Sequence, residues 1–131
     1  MRTNRKIFVF ACLSALLILG CGKQHTAKQL VSDFIEQNTT VVPSISEVGP
    51  LDSALYVTDE AIVRMRQSAG KNGIFKPGIR YGERPQNTST LMMLSVTYTL
   101  EGSQRAPKEY RQTFYLDPNL TRVVAVKSDN R

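Results

Sequence analysis

Leu91–Leu100 reads LMMLSVTYTL, and within it Leu94, Val96, Tyr98 and Leu100 alternate with Ser95, Thr97 and Thr99. Successive side chains on a strand point to opposite faces of the sheet, so this alternation predicts a strand with one buried face. Beyond a turn region around Glu101–Pro107, Tyr110, Phe114 and Leu116 fall on one face of a second run. Asp117-Pro118-Asn119 supplies a further turn, and Thr121–Lys127 (TRVVAVK) is a short β-branched third run. Three runs joined by turns predict an antiparallel meander with one face covered.

Upstream of the meander the pattern changes to helical. Thr26 and Gln29 form a capping-box pattern, and Leu30, Val31, Phe34 and Ile35 recur at helical spacing through Gln37, with Asn38 as a stop. Residues 39–57 carry the breakers Pro43, Gly49 and Pro50 and read as irregular, with a short strand at Ala54–Val57. A second helix is signalled by Thr58 as N-cap, Asp59 and Glu60 in the first turn, Arg64 and Arg66 late, and Gly70 just past the end. The expected fold is α+β: one or two N-terminal helices packed on a three- to four-stranded antiparallel sheet.

The first 20 residues belong to none of this. Arg2, Arg5 and Lys6 form a short positive stretch without an acid, and Ile7–Leu19 (IFVFACLSALLIL) is an uninterrupted apolar run. That is signal-peptide organisation. As a helix, 13 residues would span only ~20 Å, short of a ~30 Å hydrocarbon core. Ile18-Leu19-Gly20-Cys21 follows at once and resembles the lipobox of bacterial lipoproteins: an aliphatic residue, a small residue before the cut, and the obligatory cysteine after it. The resemblance implies cleavage after Gly20 and lipidation of Cys21. Gly22 rather than an aspartate follows the cysteine, which by the same resemblance implies an outer-membrane anchor facing the periplasm. The expected organisation is a signal peptide at 1–20, the lipidated cysteine with a short extended tether at 21–26, and a small α+β domain at 27–131.

Composition narrows the function classes. The whole chain has a net charge of +6, but without its leader it keeps 14 basic and 11 acidic side chains, too sparse a footprint for nucleic acid. Cys12 leaves with the leader and Cys21 takes the lipid, so no thiol remains for a disulfide, a nucleophile or a metal site. His25 is the only histidine, four residues beyond Cys21, and no zinc-protease, P-loop or dinucleotide glycine pattern occurs. No cofactor and no metal are expected, and Asp59 and Glu60 read as complements to a helix dipole rather than a catalytic pair.

Cys21-Gly22 followed by the helix AKQLVSDFIEQN, the segment Gly49-Pro50-Leu51-Asp52-Ser53, and Phe114–Leu120 (FYLDPNL) together resemble small uncharacterised lipoproteins of Bacteroidetes. That resemblance implies no activity. The helices-then-meander order is also similar to that of the small lipoprotein subunit of outer-membrane β-barrel assembly machines, whose glycine- and proline-containing turn motifs are not found here.

Two stretches are candidates for function. Asp52-Ser53-Ala54 resembles the short acceptor for protein O-glycosylation in Bacteroidetes, and it falls in an expected loop, with Ser53 as the site. Arg64–Arg84 (RMRQSAGKNGIFKPGIRYGER) sets Arg64, Arg66, Lys71, Lys76, Arg80 and Arg84 against the single acid Glu83. Its four glycines predict a flexible loop open to anions, with Ile74, Phe75 and Tyr81 available to an interface. The functional expectation is a non-enzymatic interaction or scaffold module of the envelope. It is held to the membrane through Cys21 and contacts an anionic lipid, glycan or envelope protein. A carrier of a small apolar ligand and an enzyme of unfamiliar type are the alternatives.

Overall fold

The computed structural model describes residues 22–86, 88–100 and 108–129. The expected signal peptide at 1–20, Cys21 and the turn expected at Glu101–Pro107 lie outside the described residues. In order, the elements are α1 (22–38), β1 (Pro43–Val48), β2 (Asp52–Ala54), α2 (Asp59–Lys71), β3 (Leu91–Leu100), β4 (Glu109–Leu116) and β5 (Val123–Ser128). The fold is α+β, with two helices and a five-stranded antiparallel sheet among the described residues.

The meander forms as the alternation predicts. Leu94 stands opposite Phe114 and Tyr98 opposite Tyr110 across β3 and β4, and Phe114 stands opposite Val126 across β4 and β5. Leu94, Val96, Tyr98, Phe114, Leu116 and Val126 thereby share one face, and α1 covers it with Ala27, Val31, Phe34 and Ile35. The β4–β5 register shifts between Tyr115 and Leu116. Around that irregularity Val124 and Ala125 both belong to a second cluster with Ile62 of α2 and Leu91. The sheet is therefore covered by α1 on one face and, over part of the other, by α2.

The fifth strand comes from the stretch read as irregular. β1 pairs with the C-terminal half of β3 and β2 with its N-terminal three residues, so both lie along one edge of β3. A register shift between Ile45 and Glu47 breaks the alternation in PSISEV, which hid β1 from a period-two reading. β2 covers Asp52–Ala54 rather than Ala54–Val57. Ser53 consequently sits exposed in an edge strand rather than in a loop.

Both helices depart from expectation at one end. Residues 22–26 are helical, not an extended tether, and Thr26 is inside α1, its Oγ1 donating to Gly22 O at 2.8 Å. Tertiary bonds hold the earliest described residues of the helix: Gln24 Nε2 donates to Gly49 O, and Leu51 N donates to Gln24 Oε1, both at 2.8 Å. α1 ends at Asn38 as expected, where Asn38 Nδ2 caps Phe34 O at 2.8 Å. Thr58 caps α2 by accepting from Ala61 N at 3.1 Å. The C-terminal stop lies three residues later than Gly70: Asn72 is the C-cap, and Gly73 takes the left-handed φ of +76° that Gly70 was expected to provide.

Candidate functional site

The basic stretch from Arg64 to Arg84 divides into structural and exposed cations. Arg66 lies against the sheet. Its Nε donates to Val124 O at 2.9 Å, one Nη donates to Gly82 O at 3.1 Å and the other to Glu83 Oε1 at 3.3 Å, while the guanidinium stands 4.8 Å from the Tyr81 ring centroid. Arg84 is also committed, donating to Val57 O and to the Asp59 carboxylate. These two bind the protein's own backbone and acids. Arg64, Lys71, Lys76 and Arg80 are exposed.

The stretch is not the free loop that its glycines suggested. Phe75 is buried against Phe34 with ring centroids 5.8 Å apart, Tyr81 packs on Phe34 at 5.6 Å, and Ile74 and Ile79 join the same core. The side chains expected to reach a partner instead fill the space beneath α1. Asn38 fixes the backbone: its carbonyl accepts from Lys76 N at 2.8 Å and its Oδ1 from Arg80 N at 3.0 Å. The glycines serve fixed conformations, since Gly73 and Gly78 have φ of +76° and +75°. Gly82 is glycine for a different reason. A Cβ there would stand 2.5 Å from Arg122 Cβ, and Arg122 Nη1 is held by Glu83 O at 2.9 Å.

Lys76 and Arg80 therefore sit at the C-terminal end of α1. A helix of 17 residues is about 25 Å long, so they lie roughly that far from residue 22. His25 is exposed on the first turns of α1. Among the described residues no group of three or more His, Cys, Asp or Glu side chains is placed to hold a metal ion, and no helix is long and apolar enough to cross a membrane.

Open clefts mark the surface of the described residues. One of about 660 Å³ is lined by Tyr56, Thr58, Asp59, Arg84, Pro85 and Ser89. A second of about 310 Å³ runs between Asp33 of α1 and Arg80 and Arg122, and a third of about 330 Å³ lies on the sheet among Thr97, Glu109, Arg111 and Asp129. The first is floored by the Arg84–Asp59 pair. In the third, Asp129 Oδ2 accepts from Thr113 Oγ1 at 2.7 Å.

A buried chain of polar side chains is structural in its connections. Tyr98 Oη donates to Gln112 Oε1 at 2.6 Å, Gln112 Nε2 donates to Ser128 Oγ at 3.2 Å, and Asn72 Nδ2 donates to the same hydroxyl at 3.0 Å. That chain links β3, β4 and β5 to the cap of α2. Burial, and then the neighbouring Tyr110, push the Tyr98 phenol far above its ordinary pKa. Two exposed residues escaped the sequence reading altogether: Leu55 and Tyr56 were assigned to a strand, and they project 64% and 82% exposed.

No family model matches the chain, and neither a curated protein nor a solved structure matches it.

Proposed function

We propose that the protein is a lipid-anchored envelope lipoprotein that acts by binding rather than by catalysis. The observation that supports this best is the course of α1. Its described part is helical from residue 22, the residue after the lipobox cysteine, and Gln24 ties that part to Gly49 and Leu51. A diacylated Cys21 would thus seat the folded domain against the headgroups without a spacer. Two or more acyl chains anchor stably, since each buried CH₂ contributes roughly 0.8 kcal/mol. On this reading Lys71, Lys76 and Arg80 are offered on the domain's surface to an anionic partner, the latter two a helix length from the anchor. Packing favours binding over carriage of an apolar ligand: Phe34 meets Phe75, Tyr81 and Phe114 at 5.8, 5.6 and 6.1 Å, so side chains occupy the space between α1 and the sheet.

Expression of the full chain in a bacterium fed an alkyne-tagged fatty acid tests the anchor. The parent is expected to take the label and lose its leader, and Cys21→Ala to remain an unlabelled precursor. Cleavage and membrane retention of Cys21→Ala like the parent would contradict the lipoprotein reading. Intact mass of the mature parent also reads any glycan on Ser53, which is exposed and whose hydroxyl donates to Met92 Sδ at 3.9 Å. The cationic surface is tested by binding to an acidic polysaccharide. Attraction should fade as salt shortens the Debye length below ~8–10 Å. Replacing Lys71, Lys76 and Arg80 with Gln should abolish it at unchanged thermal stability. Salt-independent binding, or none lost in the triple variant, would remove these residues from the interaction.

A further inference from the structure

Two non-glycine residues have left-handed backbone, Leu120 at φ 57° and Tyr56 at φ 55°. Such conformations crowd Cβ against the following carbonyl, so each needs a compensating reason. Leu120 has one: its side chain packs against the core cluster, and its amide closes the β4–β5 turn on Asp117 O at 3.0 Å. At Tyr56 the turn serves its neighbour, since Val57 N donates to Ser89 O at 2.9 Å and Val57 packs on the second cluster, while the Tyr56 ring itself belongs to neither core cluster. Its side chain stands 82% exposed beside Leu55, itself 64% exposed, at the end of edge strand β2. A strained position that holds an aromatic ring out in water points to a surface whose partner is apolar.

Position decides which partner. Gln24 fixes the start of α1 to Gly49 and Leu51. Four residues of extended chain take Leu51 to Leu55, at most ~13 Å. Residue 22 adjoins Cys21 in sequence, so the span from the anchor to the pair is at most these ~13 Å plus the reach of Gln24 and the two residues before it, beside a bilayer whose headgroup layer is ~5–8 Å deep. Tyrosine suits that layer, its ring taken up by the interface and its hydroxyl left in water. Asp52 and Glu60 flank the pair along the chain and are exposed, and Asp59 beside Tyr56 is neutralised by Arg84, so attraction to anionic headgroups is not the driving force.

From this geometry we infer that Leu55 and Tyr56 form a second, shallow membrane contact that fixes the domain's orientation on the bilayer surface. The inference rests on the proposed lipid anchor. The contact is apolar, and salt does not release it.

The chain contains no tryptophan, so a single introduced indole reports its own surroundings. The lipidated full chain carrying Tyr56→Trp, with Leu55→Trp as a second variant, is reconstituted into phosphatidylcholine vesicles with brominated acyl chains. Val42→Trp serves as the control, because Val42 is also exposed but adjoins Pro43 at the opposite end of the edge, nine β3 residues from the Ala54 pair. Co-flotation with a blue-shifted, largely quenched indole at position 56 or 55, and an unshifted one at 42, is expected at low and high salt alike. Co-flotation with solvent-like, unquenched emission from both positions 55 and 56, or with quenching at 42 instead, would overturn the inference and leave the anchor standing. Failure to float would overturn the anchor and the inference together.

Discussion

Two tyrosines show how a hydroxyl takes its value from a single partner. Tyr98 Oη donates to Gln112 inside the core, whereas Tyr81 Oη is buried with no hydrogen-bond partner among the described residues. An unpaired buried hydroxyl costs free energy, and removing half of a buried pair leaves the other half unsatisfied at ~1–3 kcal/mol. Tyr81→Phe is therefore expected to leave the melting temperature unchanged or raise it, and Tyr98→Phe to lower it. A lower melting temperature for Tyr81→Phe than for Tyr98→Phe would contradict this account. Burial raises the pKa of both phenols, with the Arg66 charge partly offsetting the shift at Tyr81. The unfolded chain then ionises first, so their contribution to stability is full below about pH 10 and is lost as pH rises above it. At this scale the sequence was least legible. Arg66 and Arg84 looked like their exposed neighbours because their partners are mainly the carbonyls of Val124, Gly82 and Val57, and a backbone acceptor leaves no mark on residue identity.

Legibility improved with the element. β3, β4 and β5 were readable because each keeps an apolar stripe under α1, and the N-terminus of α2 because Thr58, Asp59 and Glu60 agree with one another. β1 was hidden by its bulge, and the start of α1 by Thr26, which imitates a cap while bonding back into its own helix. The end of α2 was misplaced because two glycines stand three residues apart. Their roles are opposite and separable. Gly70 is helical with nothing within 4 Å of a Cβ, while Gly73 has open space but a φ of +76°. Gly70→Ala should stabilise the protein by about 0.5–1 kcal/mol through helix propensity. Gly73→Ala should destabilise it by about 1–2 kcal/mol, because only glycine adopts that φ freely. Urea unfolding of the two variants checks both signs, and a gain at Gly73 would refute the cap assignment.

Across the whole molecule, the two sheet edges are closed by different means. The β1–β2 edge is interrupted by Pro43, by the bulge near Ser46 and by Pro50, devices that discourage another strand from pairing there. The β5 edge is covered from within: Gly82 N donates to Val123 O at 2.9 Å and Arg66 Nε to Val124 O. Arg66 thus joins α2, the sheet and the chain before β3 through one planar group. Lysine cannot reproduce that fork. Arg66→Lys is expected to cost about 2–3 kcal/mol, since Val124 O and Gly82 O both lose a charged donor. It should also promote association through the uncovered edge. Equilibrium unfolding with sedimentation at rising concentration tests this, and a monomer of parental stability would show that the clamp is dispensable.

The Gln24 clamp has a mechanical meaning as well. A pull transmitted through residue 22 meets the Gln24 clamp two residues on. It reaches Gly49 and Leu51 through one side chain, and the next link, Gly49 N to Ser95 O at 2.8 Å, carries it into the middle of β3. Load entering from the N-terminus is thus spread sideways across the ladder of the longest strand. Whatever tugs on this domain from that end is resisted by the whole sheet.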